Sequence, residues 1–487
     1  MSTSSPTSSA VTAYKLMCEG RLEPALPYAW AAVTGATVCT PMHGMLATIL
    51  CALGRREEAE SVVVSALQLG AGNADAYDAL AHVSITLGQP ERANALYRQA
   101  AEREPLTSRF WYNLASSARG LGRIAESEAA CNRSIALDRH AYSSYLLRSE
   151  LRVQTVDSNH VSALESLLAD RNIDDRGRAA LGYAVAKELD DLERYDDAFH
   201  WFSEAAGARR RRLSYDVSVD EKKIQRIIET HPVKYVRTPT SSTDSARYIF
   251  IVGLPRSGTT LLERILTGLK AVRTNGETDN FSRALLGEML PGGEDIFSRA
   301  THADPMAVAC NYAQRAGAPR DGGAIIEKLP LNYLYIGAIH RALPEAKLVW
   351  MKRLPLASCF AMYRTLFGDA YPFSYDFEDL ARYYAAYDRL MNHWRLALGG
   401  DICEVAYEDL VTQPQTVGAA VAEHCGLSWQ ASATRVENNP GASFTASASQ
   451  VRRAIYTSSV DRWRHYSKHL EPLARRLTDL GVNINSP

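Results

Sequence analysis

No run in the 487-residue chain approaches the roughly 18 consecutive apolar residues of a membrane-spanning helix, so no transmembrane segment is expected. The first ten residues, 1–10, are rich in Ser and Thr and lack both a basic start and an apolar stretch. They do not read as a secretory signal and are expected to be a disordered tail. No CxxC pair occurs among the eight scattered cysteines, which fits reduced thiols in a cytoplasmic protein rather than a disulfide framework. The one HxxxH pair, His465 and His469, lacks the inner Glu of HExxH and an evident third ligand, so no metal site is expected. Nor is there an excess of one charge: Lys plus Arg is 54, Asp plus Glu is 55, and the formal net charge is −1. That balance argues against a generic nucleic-acid binder or a polybasic membrane protein, while leaving room for a local basic pocket. The 46% hydrophobic and 22% charged content is that of a globular chain, long enough for two large domains or about three ordinary ones.

The first half is periodic. Gly20, Gly54, Gly88 and Gly122 recur at 34 residues, as do Ala25, Ala59 and Ala93. Ala32, Ala66 and Ala100 follow the same interval, with Ser134 next. Leu46, Leu80 and Leu114 do likewise, each followed by alanine. A 34-residue period is that of a helix–turn–helix solenoid, and the pattern resembles the tetratricopeptide repeat. Its best copy, 74–107, carries Tyr77, Leu80, Ala81, Gly88, Ala93, Tyr97, Ala100 and Pro105. Small residues let paired helices approach, and glycine ends the first helix in a left-handed cap. Residues 142–178 are degenerate but helical in pattern, and a further copy lies around 179–212, with Ala198, Phe202 and Ala205. Such an array offers a concave groove for a peptide or partner, or braces the second domain or a homodimer.

The run Arg209–Arg212 reads as a solvated helix end suited to the helix dipole, or as an anion site. Residues 214–231 remain helical in pattern, and TPTSSTDS, 238–245, is a turn-rich linker. Beyond it, RYIFIV (247–252), KLVWMK (347–352) and ICEVA (402–406) are strand candidates, each followed by a loop and helix-like sequence. Strands alternating with helices imply a buried parallel sheet.

Between the first strand and its helix lies Gly253-Leu-Pro-Arg-Ser-Gly-Thr-Thr260. The glycine spacing is that of a phosphate-cradling loop, whose successive N–H groups and helix N-terminus attract anions. Thr259 stands where a nucleoside-triphosphatase loop needs Lys. That weakens a kinase reading, although Arg256 inside the loop can supply positive charge from another direction.

With this loop, GET (276–278), EKLPLNYLYIG (327–337), YPFSYDFEDLARYY (371–384), YEDLV (407–411) and QVRRAIYTSSVDRWRHY (450–466), the chain resembles sulfotransferases dependent on 3′-phosphoadenosine 5′-phosphosulfate (PAPS). The likeness is to bacterial members with N-terminal tetratricopeptide repeats and, more distantly, to tyrosylprotein sulfotransferases. The resemblance implies an all-α tetratricopeptide solenoid (11–215), a helical connection and linker (216–246), and a P-loop α/β sulfotransferase domain with a central parallel sheet (247–487). It implies PAPS as donor, adenosine 3′,5′-bisphosphate as product, no metal, and a cytoplasmic bacterial protein. The donor would be held by Arg256, Ser257, Gly258, Thr259 and Thr260 at its 5′-phosphosulfate and by Arg353 at its 3′-phosphate. Ser447 and Arg462 would add further contacts, with Tyr407 near the adenine. Glu277 matches the catalytic base of the tyrosylprotein enzymes, and a partly buried carboxylate is competent for that role. Arg256 and Lys328 would stabilise charge on the leaving group. The histidine of the small-molecule enzymes' KxHLP segment is absent from Lys328-Leu-Pro-Leu-Asn332, which favours Glu277.

The chain also departs from the family pattern. Arg353-Leu-Pro-Leu-Ala357 stands for RDPRD, Ala361 stands where a donor-binding serine is usual, and Ala454 replaces a proline. A lost hydrogen bond to a charged group is worth about 1.5–3 kcal/mol, which Ser358 or Arg364 could restore. The acceptor expected is a peptide or protein hydroxyl, that of Tyr first, bound by the repeat groove. A small molecule or carbohydrate is the alternative, as is a repeat scaffold carrying a non-catalytic nucleotide-binding domain.

Overall fold

The computed structural model describes residues 5–70, 72–238, 247–290, 292, 295–318, 323–445, 448 and 450–486. The chain divides into two compact units, Met1–Leu151 and Arg152–Pro487. The linker expected at 238–245 lies, apart from Thr238, outside the described residues.

The first unit is entirely helical: α1 (Pro6–Cys18), α2 (Leu22–Val33), α3 (Pro41–Ala52), α4 (Arg56–Leu69), α5 (Ala74–Thr86), α6 (Pro90–Arg103), α7 (Ser108–Gly120), α8 (Ile124–Leu137) and α9 (Tyr142–Glu150). The four glycines at 34-residue spacing all take a left-handed φ, between +73° and +80°. In each pair the residue after glycine donates its N–H back five positions, as Gln89 does to the Ser84 carbonyl at 2.8 Å. The repeated Leu and Ala residues are buried. Ion pairs tie one helix pair to the next, Arg92 gripping Glu60 through both terminal nitrogens and Arg123 pairing with Glu91. Helix α1 begins inside the stretch 1–10 expected to be a tail, because the Ser5 hydroxyl accepts the Ser8 N–H and Pro6 occupies the first turn.

The second unit opens with four more helices, α10 (Val161–Leu168), α11 (Asp175–Asp191), α12 (Tyr195–Arg211) and α13 (Val217–Thr230). The solenoid expected over 11–215 is thus divided near residue 151, its last helix pair belonging to the unit that holds the sheet. The reason is local. The Tyr183 hydroxyl of α11 donates to the Tyr363 carbonyl at 2.8 Å, and Phe202 of α12 packs edge-on against Phe360. Arg209 and Arg210 are partly buried and pair with Asp369 and Asp379, while Arg211 stays exposed beside Asp175.

The sheet holds β1 (Tyr248–Gly253), β2 (Val272–Thr274), β3 (Ala324–Glu327), β4 (Lys347–Lys352) and β5 (Ile402–Ala406), all parallel, in the order β2-β3-β1-β4-β5. Central β1 is buried at all six positions. The helix Thr259–Thr267 covers one face through Leu262, Ile265 and Leu266. Among the described residues no helix is long and apolar enough to cross a membrane.

Candidate active site

The carboxyl end of β1 turns directly into the phosphate loop. Gly253 and Gly258 take φ of +149° and +102°, and Arg256 is held at +67°, a region few side chains visit. Glycine is needed at 258 twice over, since a Cβ there would meet the Tyr407 ring at 2.5 Å. The tight turn leaves Arg256, Gly258, Thr259 and Thr260 lining an open cleft. Ser257 does not line it. Its hydroxyl is buried, has no hydrogen-bond partner among the described residues, and borders a second cavity behind the loop.

The cleft wall is cationic. Among the described residues it carries Arg256, Arg353, Arg364, Arg453 and Arg462 against one acid, Glu277. Arg256 donates to Gln450 Oε1 at 2.8 Å. Arg353 leaves β4 and lies over the Tyr407 ring, 4.7 Å from its centroid. Its Nη1 and Nη2 donate to the Arg256 and Ser459 carbonyls, each at 2.9 Å, while its buried Nε has no partner among the described residues. Burial presses this guanidinium below its ordinary range, and the Arg364 charge adds to the effect. Tyr407 itself shares a 2.6 Å hydrogen bond with Ser459 Oγ.

Arg364 and Arg462 converge on one carboxylate, Asp190 at the end of α11. Arg364 Nη2 reaches Oδ2 at 2.7 Å and Arg462 Nη2 reaches the same oxygen at 2.5 Å, while the Tyr466 hydroxyl donates to Oδ1 at 2.6 Å. Burial alone would raise the Asp190 carboxyl, but the two arginines and Tyr466 hold it below its usual value.

On the opposite side Glu277 lines the cleft with its side chain 39% exposed. Lys328, expected to face the leaving group, is fully buried and does not line the cleft. Its Nζ donates to Glu277 Oε1 at 2.5 Å and lies 3.6 Å from Glu263. Lys328 follows buried β3, so its ammonium emerges beneath Glu277 and orients that carboxylate. The neighbouring Glu327 is locked by Asn275, Thr278 and Asn280 at 2.7–3.0 Å, which fixes the GET loop. Tyr371, strained at φ +54°, also lines the cleft. Burial, then the Glu277 charge, keeps its phenol protonated.

The structure therefore brings together Arg256, Gly258, Thr259, Thr260, Glu277, Arg353, Tyr407 and Arg462, and sets Ser257 and Lys328 behind the wall. Ser447 lies outside the described residues. Ala361 lines the cleft, whereas Ser358 borders the cavity behind it, so of the two candidate substitutes for the missing hydroxyl only Arg364 faces the site. His469 pairs with Asp196, and His465 stacks on Tyr195 at 4.3 Å. Asp190 carried no local signal as a site residue, and Tyr371 opens the segment 371–384 without standing out from its neighbours.

The model of the sulfotransferase family matches residues 248–431, and that of the tetratricopeptide repeat matches 79–142. An uncharacterized protein of Aquifex aeolicus (strain VF5) is 28% identical over 408 residues, 80% of this chain and 53% of that protein. The chain thus spans about half the length of the curated relative it matches. The solved sulfotransferase domain of the Synechococcus PCC 7002 olefin synthase is 16% identical with a TM-score of 0.35, covering 50% of this chain and 99% of that one. A sulfotransferase of Mycobacterium tuberculosis H37Rv is 15% identical with a TM-score of 0.30, covering 68% and 100%. YrrB, a tetratricopeptide-repeat protein with an unusual peptide-binding site, is 16% identical with a TM-score of 0.26, covering 39% and 87%.

Proposed function

We propose that this chain, whose residues 248–431 match the model of the sulfotransferase family, moves a sulfuryl group from PAPS to a hydroxyl acceptor. The observation that carries the reading is the cleft: five arginines and one glutamate gathered on a glycine loop that lacks the triphosphatase lysine. A multiply anionic nucleotide fits it, since the loop presents a helix N-terminus and the buried Arg353 Nε waits without a partner among the described residues.

PAPS supplies a sulfuryl group on a phosphate leaving group. The loop residues Arg256 to Thr260 hold and neutralise the 5′ end, and Arg256 balances the charge that develops as the S–O bond to phosphate breaks. Glu277 takes the acceptor proton as the new O–S bond forms, leaving a sulfate ester, adenosine 3′,5′-bisphosphate and a proton. Lys328 acts through Glu277 by fixing its carboxylate. Tyr371, a protonated phenol beside Glu277, offers a hydrogen bond to the acceptor oxygen.

The acceptor we favour is a peptide or protein hydroxyl, that of Tyr first, because a repeat array is a peptide-holding architecture and the base is a carboxylate. A second reading, a small hydroxyl compound, is favoured by a cavity that shares Tyr371 with the cleft, where Leu331, Leu334 and Phe373 stand beside Asp216, Asp220 and Lys223. The test is incubation with PAPS carrying labelled sulfur and two acceptor panels, tyrosine peptides and small phenols or alcohols. Label in either product supports the reading and chooses the acceptor. Bound donor with no transfer to any member favours the non-catalytic scaffold.

A further inference from the structure

We propose that Asp190 is the positioning residue of the donor pocket. It aims Arg364 and Arg462 into the cleft as an anion site for the donor's 3′-phosphate, in place of the hydroxyl absent at Ala361. The inference rests on the reading of the cleft as a PAPS site.

Arg353 alone meets a phosphate with part of its capacity: each terminal nitrogen spends one N–H on a backbone carbonyl, leaving three of its five. The helix Pro355–Tyr363 presents Ala357 and Ala361 to the cleft, and neither carries a donor. Arg364 closes that helix and lines the cleft. Among the described residues Asp190 is its one hydrogen-bond partner, through Nη2. Its other N–H groups are therefore uncommitted, and guanidinium presents five in a rigid fork.

Arg462 is aligned on the same carboxylate from the other side, its Nε reaching Oδ1 at 3.2 Å. Arg462 Nη2 also lies 3.6 Å from Asp191, which pairs with Lys187 at 2.6 Å, so these three cations face two carboxylates and positive charge is left over at the cleft wall. The buried Asp190 carboxylate prevents the two arginines from repelling one another apart. Asp190 itself is not part of the wall, so it acts through the arginines. Tyr466 and the Phe202 and Phe360 rings, 5.7 and 5.9 Å from the Arg364 guanidinium, lock the arrangement. The donor site is then not contained in 247–487: a helix that reads as the end of the repeat array supplies its anchor.

The test is calorimetric titration of the full chain and its variants with adenosine 3′,5′-bisphosphate and with 5′-AMP, which lacks the 3′-phosphate. Arg364→Ala should weaken the bisphosphate about ten- to a hundredfold, the loss of one hydrogen bond to a charged group, and leave 5′-AMP unchanged. Asp190→Asn should act in the same direction on the same ligand, and Arg364→Lys should restore part of the loss. A general structural defect would weaken both nucleotides together. If Asp190→Asn does not fold, Arg364→Ala decides alone. Wild-type preference for the bisphosphate that survives intact in Arg364→Ala overturns the inference and leaves the donor reading standing. Wild-type protein that prefers neither nucleotide overturns the donor reading itself.

Discussion

Replacing Glu277 by Gln keeps the side chain's shape and removes its charge, so it separates chemistry from binding. A general base contributes about 10²- to 10⁴-fold to rate. Turnover of Glu277→Gln should fall by at least about 10²-fold in a label-transfer assay, while bisphosphate affinity stays near wild type. Turnover at the wild-type rate would remove Glu277 from the mechanism. Lys328 makes the complementary case: fully buried against Glu277 and Glu263, it holds the Glu277 carboxylate and does not line the cleft. At this scale the phosphate loop was legible because all of its parts are neighbours in the chain. Asp190 was not, because its partners stand 174 and 272 positions away and a lone Asp at a helix end reads as solvated. Ser257 was misplaced because a motif fixes the backbone path of a loop, while the turn at Arg256 decides which way each side chain faces.

The helix pairs of the first unit depend on left-handed glycine caps. Gly88, at φ +76°, has nothing within 4 Å of where a Cβ would lie, so Gly88→Ala meets backbone strain and no clash. It should cost about 1 kcal/mol in chemical denaturation, and an unchanged midpoint would contradict the cap. The period was readable because each repeat reuses the same Gly, Ala and Leu positions. The last pair was legible from Ala198, Phe202 and Ala205 but not from a glycine, because the turn after α11 uses Glu193 at φ +60° where glycine stood before. Among the strands, β1, β4 and β5 announced themselves by apolar runs. β2 and β3, of three and four residues, are too short for periodicity to reveal and exist by pairing with a neighbour.

The whole chain is nearly neutral, −1 by formal count, yet among the described residues one cleft gathers five arginines against one glutamate. Composition argued against a generic polyanion binder and could not reveal that cluster, which forms only when the phosphate loop, the two ends of the helix Pro355–Tyr363 and the segment 450–466 meet. The second unit also carries an acid-sensitive core group. Burial lowers the imidazole of His231 to about 4, below the ordinary value near 6.5. As pH falls from about 6.5 toward 4 the unfolded chain takes up a proton that the folded one refuses, so stability is lost across that window, up to about 3 kcal/mol. Thermal melts from pH 7 to 4.5 should show a shallower fall for His231→Phe than for wild type. Identical slopes would mean that His231 does not govern it.

The central claim is that the arginine-lined cleft is built for a nucleotide carrying both a 5′ and a 3′ anion. Calorimetric titration of the purified chain with adenosine 3′,5′-bisphosphate, against 5′-AMP and ATP, tests it directly. The account predicts selective micromolar binding of the bisphosphate, weakened by added salt as expected for a site held by guanidinium charge. Binding of none of the three, or equal binding of all, would contradict it.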